Sequence, residues 1–275
     1  MKKKYLLVSI VLLAGQVSAQ SLNKEKEIII VAGPSATRLI NTNIDKDEFK
    51  DIDRKAGFNF DLSYNRYFKN RIGIGVGLGF SGYNQIVSQK GLFQKPNQTD
   101  SDGNLYEKWV SSDMTYTSNL KYIDIPITLH LLLGSSEKFY GFIDAGIVNG
   151  FLIGGKYNVK GSVENMGKYY YGNPYFSDLS QGNPRYDYSK KSYDKEYTDT
   201  FRSYNVSFRA SVGLAAAMTD RLFLRIAPEI TKGFSDITGK DDKGKEYENA
   251  LGDKSAYKLT KTFSLGLNVG FAFNM

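Results

Sequence analysis

The stretch Ile72-Gly73-Ile74-Gly75-Val76-Gly77-Leu78-Gly79-Phe80 places a large apolar side chain at every even position and glycine at every odd one. A repeat of two residues is the period of a β-strand, here with one greasy face and one face almost bare of side chains. The run before it keeps the same rhythm: Phe58, Phe60, Leu62 and Tyr64 alternate with Asn59, Asp61, Ser63 and Asn65. Only Lys69-Asn70-Arg71 separates the two runs, which predicts a hairpin.

The pattern recurs along the chain. From Leu259 to Met275, Phe263, Leu265, Leu267, Val269, Phe271 and Phe273 face one way, and Thr262, Ser264, Gly266, Asn268, Gly270 and Ala272 the other. Ile123, Ile125, Ile127, Leu129 and Leu131 form a strand that turns at Gly134-Ser135-Ser136-Glu137 into Phe139 to Gly150. Val206, Phe208, Ala210, Val212 and Leu214 form another, turning at Thr219-Asp220 into Leu222, Leu224 and Ile226. Glu27 to Ala36 supplies a first strand, and Pro126, which lacks a ladder donor, predicts a bulge or kink.

The count is eight, and the connections alternate in length. Three turns span about 3 to 5 residues, whereas the other connections run to roughly 20, 35, 50 and 25. A soluble sandwich has no reason to gather every long loop at one end. The second face differs in kind from a solvated sheet surface: it is glycine and serine on the third strand and uncharged on the last, which suits the confined interior of an eight-strand barrel. The greasy face then meets lipid, and closure pairs every backbone group, as hydrocarbon demands. The fold class read from the sequence is therefore all-β: an eight-stranded antiparallel up-and-down transmembrane β-barrel with long extracellular loops. Its place is the outer membrane, with loops outside, termini periplasmic and outer-membrane lipid as its first partner.

Lys2, Lys3 and Lys4, the apolar run Leu6 to Ala14 and the small residues Val17-Ser18-Ala19 read as an export signal cleaved after Ala19. Residues 1–19 are thus a signal peptide and 20–275 the barrel domain. With no cysteine, disulfides, thiolate metal sites and Cys nucleophiles are excluded. The formal charge of +7 counts the three leader lysines, and no Lys/Arg cluster accompanies a recognition motif, so nucleic acid is not an expected partner. A charged fraction of 24% is compatible with a membrane barrel, whose alternation keeps mean hydropathy low.

Tyr122-Ile123-Asp124-Ile125-Pro126-Ile127, the glycine-rich third strand and Ser264-Leu265-Gly266-Leu267 carry a family resemblance. The chain resembles the small PorT-like, OMP_b-brl outer-membrane β-barrel proteins of Bacteroidota over nearly all of its mature length. The resemblance implies a non-enzymatic accessory barrel serving secretion or envelope assembly. It departs at the last residue, commonly aromatic in the family and here Met275 after Phe271 and Phe273.

Several constellations in the sequence bear on chemistry. The glycine row lacks the G-x-G-x-x-G offset and leads into no helix, so it is structural, leaving room for larger side chains opposite. Asp61, Asp124, Arg209, Arg225 and Glu229 fall on the polar face and are expected to converge across the lumen as an ion-pair network that plugs it. His130, the only histidine, points into the same lumen and reads as a hydrogen-bonded interior residue; no catalytic set is assigned. Asp100-Ser101-Asp102-Gly103-Asn104 starts like a calcium loop, but Leu105 and Ser111 stand where that loop needs Gly and Glu, so no metal and no cofactor are expected. The third long loop is rich in tyrosine: Tyr157, Tyr169, Tyr170, Tyr171, Tyr175, Tyr186, Tyr188, Tyr193 and Tyr197. With Trp109, Tyr106 and Phe93 of the second loop these make a candidate binding surface for a glycan or protein, since tyrosine offers contact area and a polar tip at small entropy cost. The alternative is that the strands continue above the membrane and the tyrosines pack on one another.

Three functional classes follow, in this order: a structural or accessory barrel with envelope or secretion partners, a surface-binding barrel using its tyrosine-rich loops, and a small outer-membrane hydrolase.

Overall fold

The computed structural model describes residues 25–41, 51–68, 71–99, 105–134, 138–169, 190–198, 201–237 and 260–275. The strands are β1 (Lys26–Asn41), β2 (Asp51–Phe68), β3 (Ile72–Thr99), β4 (Leu105–Leu133), β5 (Phe139–Tyr169), β6 (Lys190–Tyr197), β7 (Tyr204–Ala217), β8 (Leu222–Gly233) and β9 (Thr260–Asn274). Eight of them close a ring by antiparallel pairing, each on its sequence neighbour except that β5 passes over β6 to pair β7, and β9 returns to β1. Closure rests on a long ladder from Glu27↔Asn274 to Asn41↔Thr260. The leader, the Asp100–Asn104 turn and Tyr170, Tyr171, Tyr175, Tyr186 and Tyr188 lie outside the described residues.

Side-chain alternation sorts the two faces as the period of two requires. Ile74, Val76 and Leu78 are 52%, 53% and 57% exposed, while Gly73, Gly75 and Gly79 between them are buried in the lumen. The outward surface is a belt with its own layering. Its middle is mainly aliphatic, with Ile127, Leu129, Ile143, Ile147, Val212 and Leu267, joined by Tyr64 and Phe208. Aromatic rings mark both edges: Phe68, Phe139 and Phe273 toward the chain termini, and Phe58, Phe151 and Tyr204 toward the other end. A continuous apolar surface of this kind is far larger than a soluble monomer carries, and rings at its borders are what a bilayer's two interfaces select. Along β4 the belt runs from Leu131 to Ile123, roughly 27 Å of strand and on the order of 20 Å along the axis once tilted. Asn149 is a polar residue on this outward face, and the Tyr204 hydroxyl donates to its Oδ1 at 2.7 Å.

Beyond Lys121 the outward face changes character, and the strands do not stop. The sequence reading expected loops of about 35 and 50 residues after β3 and β5. Instead, β3 continues to Thr99, β4 begins at Leu105, β5 continues to Tyr169, and β6, a ninth strand, adds to the edge of β5 from Tyr157↔Tyr197 to Glu164↔Lys190. These strands form a wing extending roughly 50 Å along β4 past the belt. Its outer face is polar, carrying Lys90, Asp113, Thr115, Thr117, Asn119 and Lys160. Its inner face packs Val110, Met114, Tyr116, Tyr157 and Val163, with Tyr193 and Tyr197 against them. The alternation was present in the sequence, but with Thr, Ser, Lys and Asn on one side it reads as loop composition.

Pro126 does not make a bulge. The β3–β4 ladder lapses between Val76↔Ile127 and Gly79↔Asp124 and resumes in the same register, while Pro126 still pairs Val148 on its other side. Pro34 and Pro228 behave alike, each leaving a gap in one ladder and keeping the other. The register shift falls instead between Lys121 and Tyr122 against β5, where Ile153 is the extra residue. It coincides with the boundary between belt and wing.

Candidate functional site: the lumen

The interior is layered along the barrel axis. Nearest the termini, Ile29, Tyr67, Leu132, Tyr140, Phe142, Phe223 and the alanines 215, 227 and 272 form an apolar plug. At the other mouth Leu39, Tyr83, Leu120, Tyr122 and Ile237 form a second, joined by Leu152 and Phe201. Ile237 is carried there by the chain that leaves β8, held by its amide to the Thr260 carbonyl (2.9 Å) and by its carbonyl to the Arg202 amide (2.9 Å). Between the plugs lies the polar layer.

The residues singled out in the sequence occupy that layer and divide into two groups. Arg209 of β7 reaches Asp61 of β2 (Nη1 to Oδ2, 2.7 Å), Asp124 of β4 (Nη2 to Oδ2, 3.2 Å) and Glu229 of β8 (Nε to Oε1, 3.5 Å). Glu229 also accepts from Asn268 (2.8 Å) and Asn59 (3.3 Å). Arg225 of β8 reaches Asp144 (2.7 Å) and Glu27 (3.5 Å), and its guanidinium lies 3.6 Å over the Phe142 ring. His130 Nδ1 stands 2.7 Å from the other Asp144 oxygen, and Glu27 accepts from the hydroxyls of Tyr67 (2.7 Å) and Tyr140 (3.3 Å). Buried charges persist only when paired and hydrogen-bonded in this way.

Glu27 and Asp144 were missed by the sequence reading. Both faces of β1 around Ile28 to Val31 are apolar, and Phe142 and Val148 share the inner face with Asp144, so hydrophobicity alone could not say which way either acid points. The signal that could have found Asp144 is the hairpin register, which sets it opposite His130 of β4.

The glycines explain how so many long side chains fit. Gly79 lies between Asp61 and Asp124 in the ladder, Gly73 beside His130, Gly146 beside Arg209, Gly266 beside Glu229 and Gly270 beside Arg225. A methyl group on Gly79 would run into the Asp61 carboxylate, and one on Gly75 into Asn65 and His130. Asp61, Asp124, His130, Arg209, Arg225 and Glu229 thus each extend over a neighbour that has no side chain. Packing is not complete, however: a cavity of about 70 Å³ separates the two arginine groups, bordered by Asp61, Ser63, Thr128, His130, Ser211 and Asn268 among others. Among the described residues no set of three or more His, Asp or Glu side chains converges as metal ligands.

Those of the tyrosine-rich candidates that lie among the described residues fall on the wing. Tyr116 and Tyr157 stack with centroids 6.3 Å apart, and Tyr157 meets Tyr197 at 6.1 Å. Trp109 is half-buried on the opposite face of β4, and Tyr169 ends β5 with its backbone opposite Tyr106.

A closed eight-strand ring, an apolar belt and a charge-paired lumen are the frame in which the comparisons with known proteins stand. The profile of the outer membrane protein beta-barrel domain matches residues 18–239. The chain belongs to this family. Its members are outer-membrane proteins, and that is the location of this one. No curated protein matches the chain. Among solved structures, Neisserial surface protein A is 8% identical, covering 90% of this chain and 97% of that one with a TM-score of 0.36. The attachment invasion locus protein of Yersinia pestis, solved with the heparin analogue sucrose octasulfate, is 14% identical over 90% and 99%, with a TM-score of 0.32. OprG from Pseudomonas aeruginosa is 12% identical over 92% and 97%, with a TM-score of 0.33.

Proposed function

We propose that this family member is a non-enzymatic, non-conducting outer-membrane barrel with a PorT-like structural or accessory role in secretion or the envelope. Residues 1–19 serve as its export leader, its termini and three short turns face the periplasm, and its wing stands outside the cell. The observation that carries this reading is the lumen: two ion-paired arginine groups lie between two apolar plugs, with a cavity of only about 70 Å³ between them. Ions crossing such a lumen would have to displace both plugs and open paired charges. Planar-bilayer recording tests it: conductance at the leak level is expected, and steady channels would refute the sealed lumen.

The wing favours a second reading. Sheet that continues past the lipid belt, with a one-sided edge strand β6 and stacked tyrosines, is a rigid platform on which a glycan or protein could be held. Excising residues 170–189 separates the two: insertion should survive either way, but capture of a surface partner is lost only if the tip binds one. The hydrolase reading rests on His130, whose Nε2 is buried and without a hydrogen-bond partner, while Ser211 contacts Asp144 and not the imidazole. A nucleophile activated by its base requires that missing contact.

A further inference from the structure

At the wing end of the belt, three adjacent strands bring three outward cations together. In the ladders, Phe263 of β9 lies opposite Lys232 of β8 on one side and Arg38 of β1 on the other, while Lys261 is two residues further up β9, opposite Ile40. Strand spacing puts the backbones of Lys232 and Arg38 about 10 Å apart, with Lys261 roughly 7 Å above Phe263. Side chains of this length can converge on one small anion. The row immediately below is Ile230, Leu265 and Ala36, which is lipid-facing hydrocarbon.

No carboxylate balances this group among the described residues. On the wing, Lys90, Lys156 and Lys190 each have one, in Asp113, Glu196 and Glu164. Asp236, which follows β8, is taken by the Thr260 amide at 3.0 Å and faces Arg202 at 3.9 Å. Arg38 and Lys261 are half-buried, and Arg38 Nε is shielded from solvent with no acceptor. Like charges set side by side at a partly desolvated border repel, and an anion among them relieves that repulsion. Its height, one row above the apolar belt, is that of lipid phosphates, and a guanidinium with two ammonium groups suits a phosphate's oxygens.

We infer that Arg38, Lys232 and Lys261 form a binding site for the phosphate headgroup of an anionic membrane lipid, whose acyl chains lie on Phe263, Leu265 and Ile230. The lipid is held at one seam of the barrel, where the last strand closes on the first.

The test is native mass spectrometry of the folded protein released from zwitterionic micelles doped with a phosphatidic acid or with the matching phosphatidylcholine. The intact chain should retain the phosphatidic acid selectively. R38Q/K232Q/K261Q should lower that retention about a hundredfold, and K232Q alone about fivefold. K156Q, which removes a rim lysine already neutralised by Glu196, should leave retention unchanged. Folding of each variant is checked by its heat-dependent gel mobility, and the single variant decides the matter should the triple variant not fold. Unchanged retention in K232Q, an equal loss in K156Q, no preference for the phosphatidic acid, or equally tight binding of inorganic phosphate would each overturn the proposal.

Discussion

Arg209 is the test of the lumen architecture. Its one guanidinium serves Asp61, Asp124 and Glu229 at 2.7, 3.2 and 3.5 Å, so Arg209→Met leaves three buried carboxylates facing each other with no cation of their own. Removing one partner of a buried pair costs about 3–5 kcal/mol, and because three acids are orphaned here the upper end applies, about 5 kcal/mol. That lowers the folded-to-unfolded ratio by between three and four decades. The assay is urea unfolding from phosphatidylcholine vesicles, followed by heat-dependent gel mobility and Trp109 fluorescence. A second variant isolates the cause: Arg209→Met combined with Asp61→Asn, Asp124→Asn and Glu229→Gln removes the orphaned charges and should recover part of the loss, since an unpaired amide costs less to bury than an unpaired carboxylate. If Arg209→Met costs less than about 1 kcal/mol, a surface-pair value, the lumen is hydrated enough to screen its charges and the sealed reading fails.

Leu267→Arg, in the middle of the belt, should cost about 2–4 kcal/mol in vesicles, whereas Thr117→Arg on the outer wing face should change stability by no more than about 0.5 kcal/mol; equal effects would place the lipid boundary elsewhere. Gly79→Val should prevent formation of the compact gel species altogether, since the new side chain occupies the space through which Asp61 passes toward Arg209; normal folding would mean the glycine column is not spatially required. Tyr157→Ala removes the ring between Tyr116 and Tyr197, and limited proteolysis should then cleave β6 and the outer part of β5 while sparing the barrel; unchanged protection would show that the wing's backbone ladder suffices without the tyrosine packing.

Much of this molecule was legible from residue order, because a membrane barrel imposes its most local rule most strictly. Water never touches the belt, so Ile74, Leu129 or Leu267 cannot be exchanged for a polar residue without cost, and the period of two survives in most lipid-crossing segments, β1 around Ile28 to Val31 and the inner face of β5 being the exceptions. The same alternation separated Asp61, Asp124, Arg209, Arg225 and Glu229 onto the inner face and marked the glycine row of β3 as space for larger side chains; that Gly146, Gly266 and Gly270 do the same emerged only from the ladders. Above the membrane the constraint relaxes: water accepts any outward residue, and β3, β4 and β5 there have the composition of loops although they are continuous sheet.

What alternation fixes is a face, one strand at a time. Which acid meets which arginine depends on the stagger of eight strands around a closed ring, a long-range quantity that no local pattern encodes. Only the closed ladder placed Glu27 of the first strand and Asp144 of the fifth on Arg225, and brought Arg38, Lys232 and Lys261 together from strands nearly two hundred residues apart in the chain.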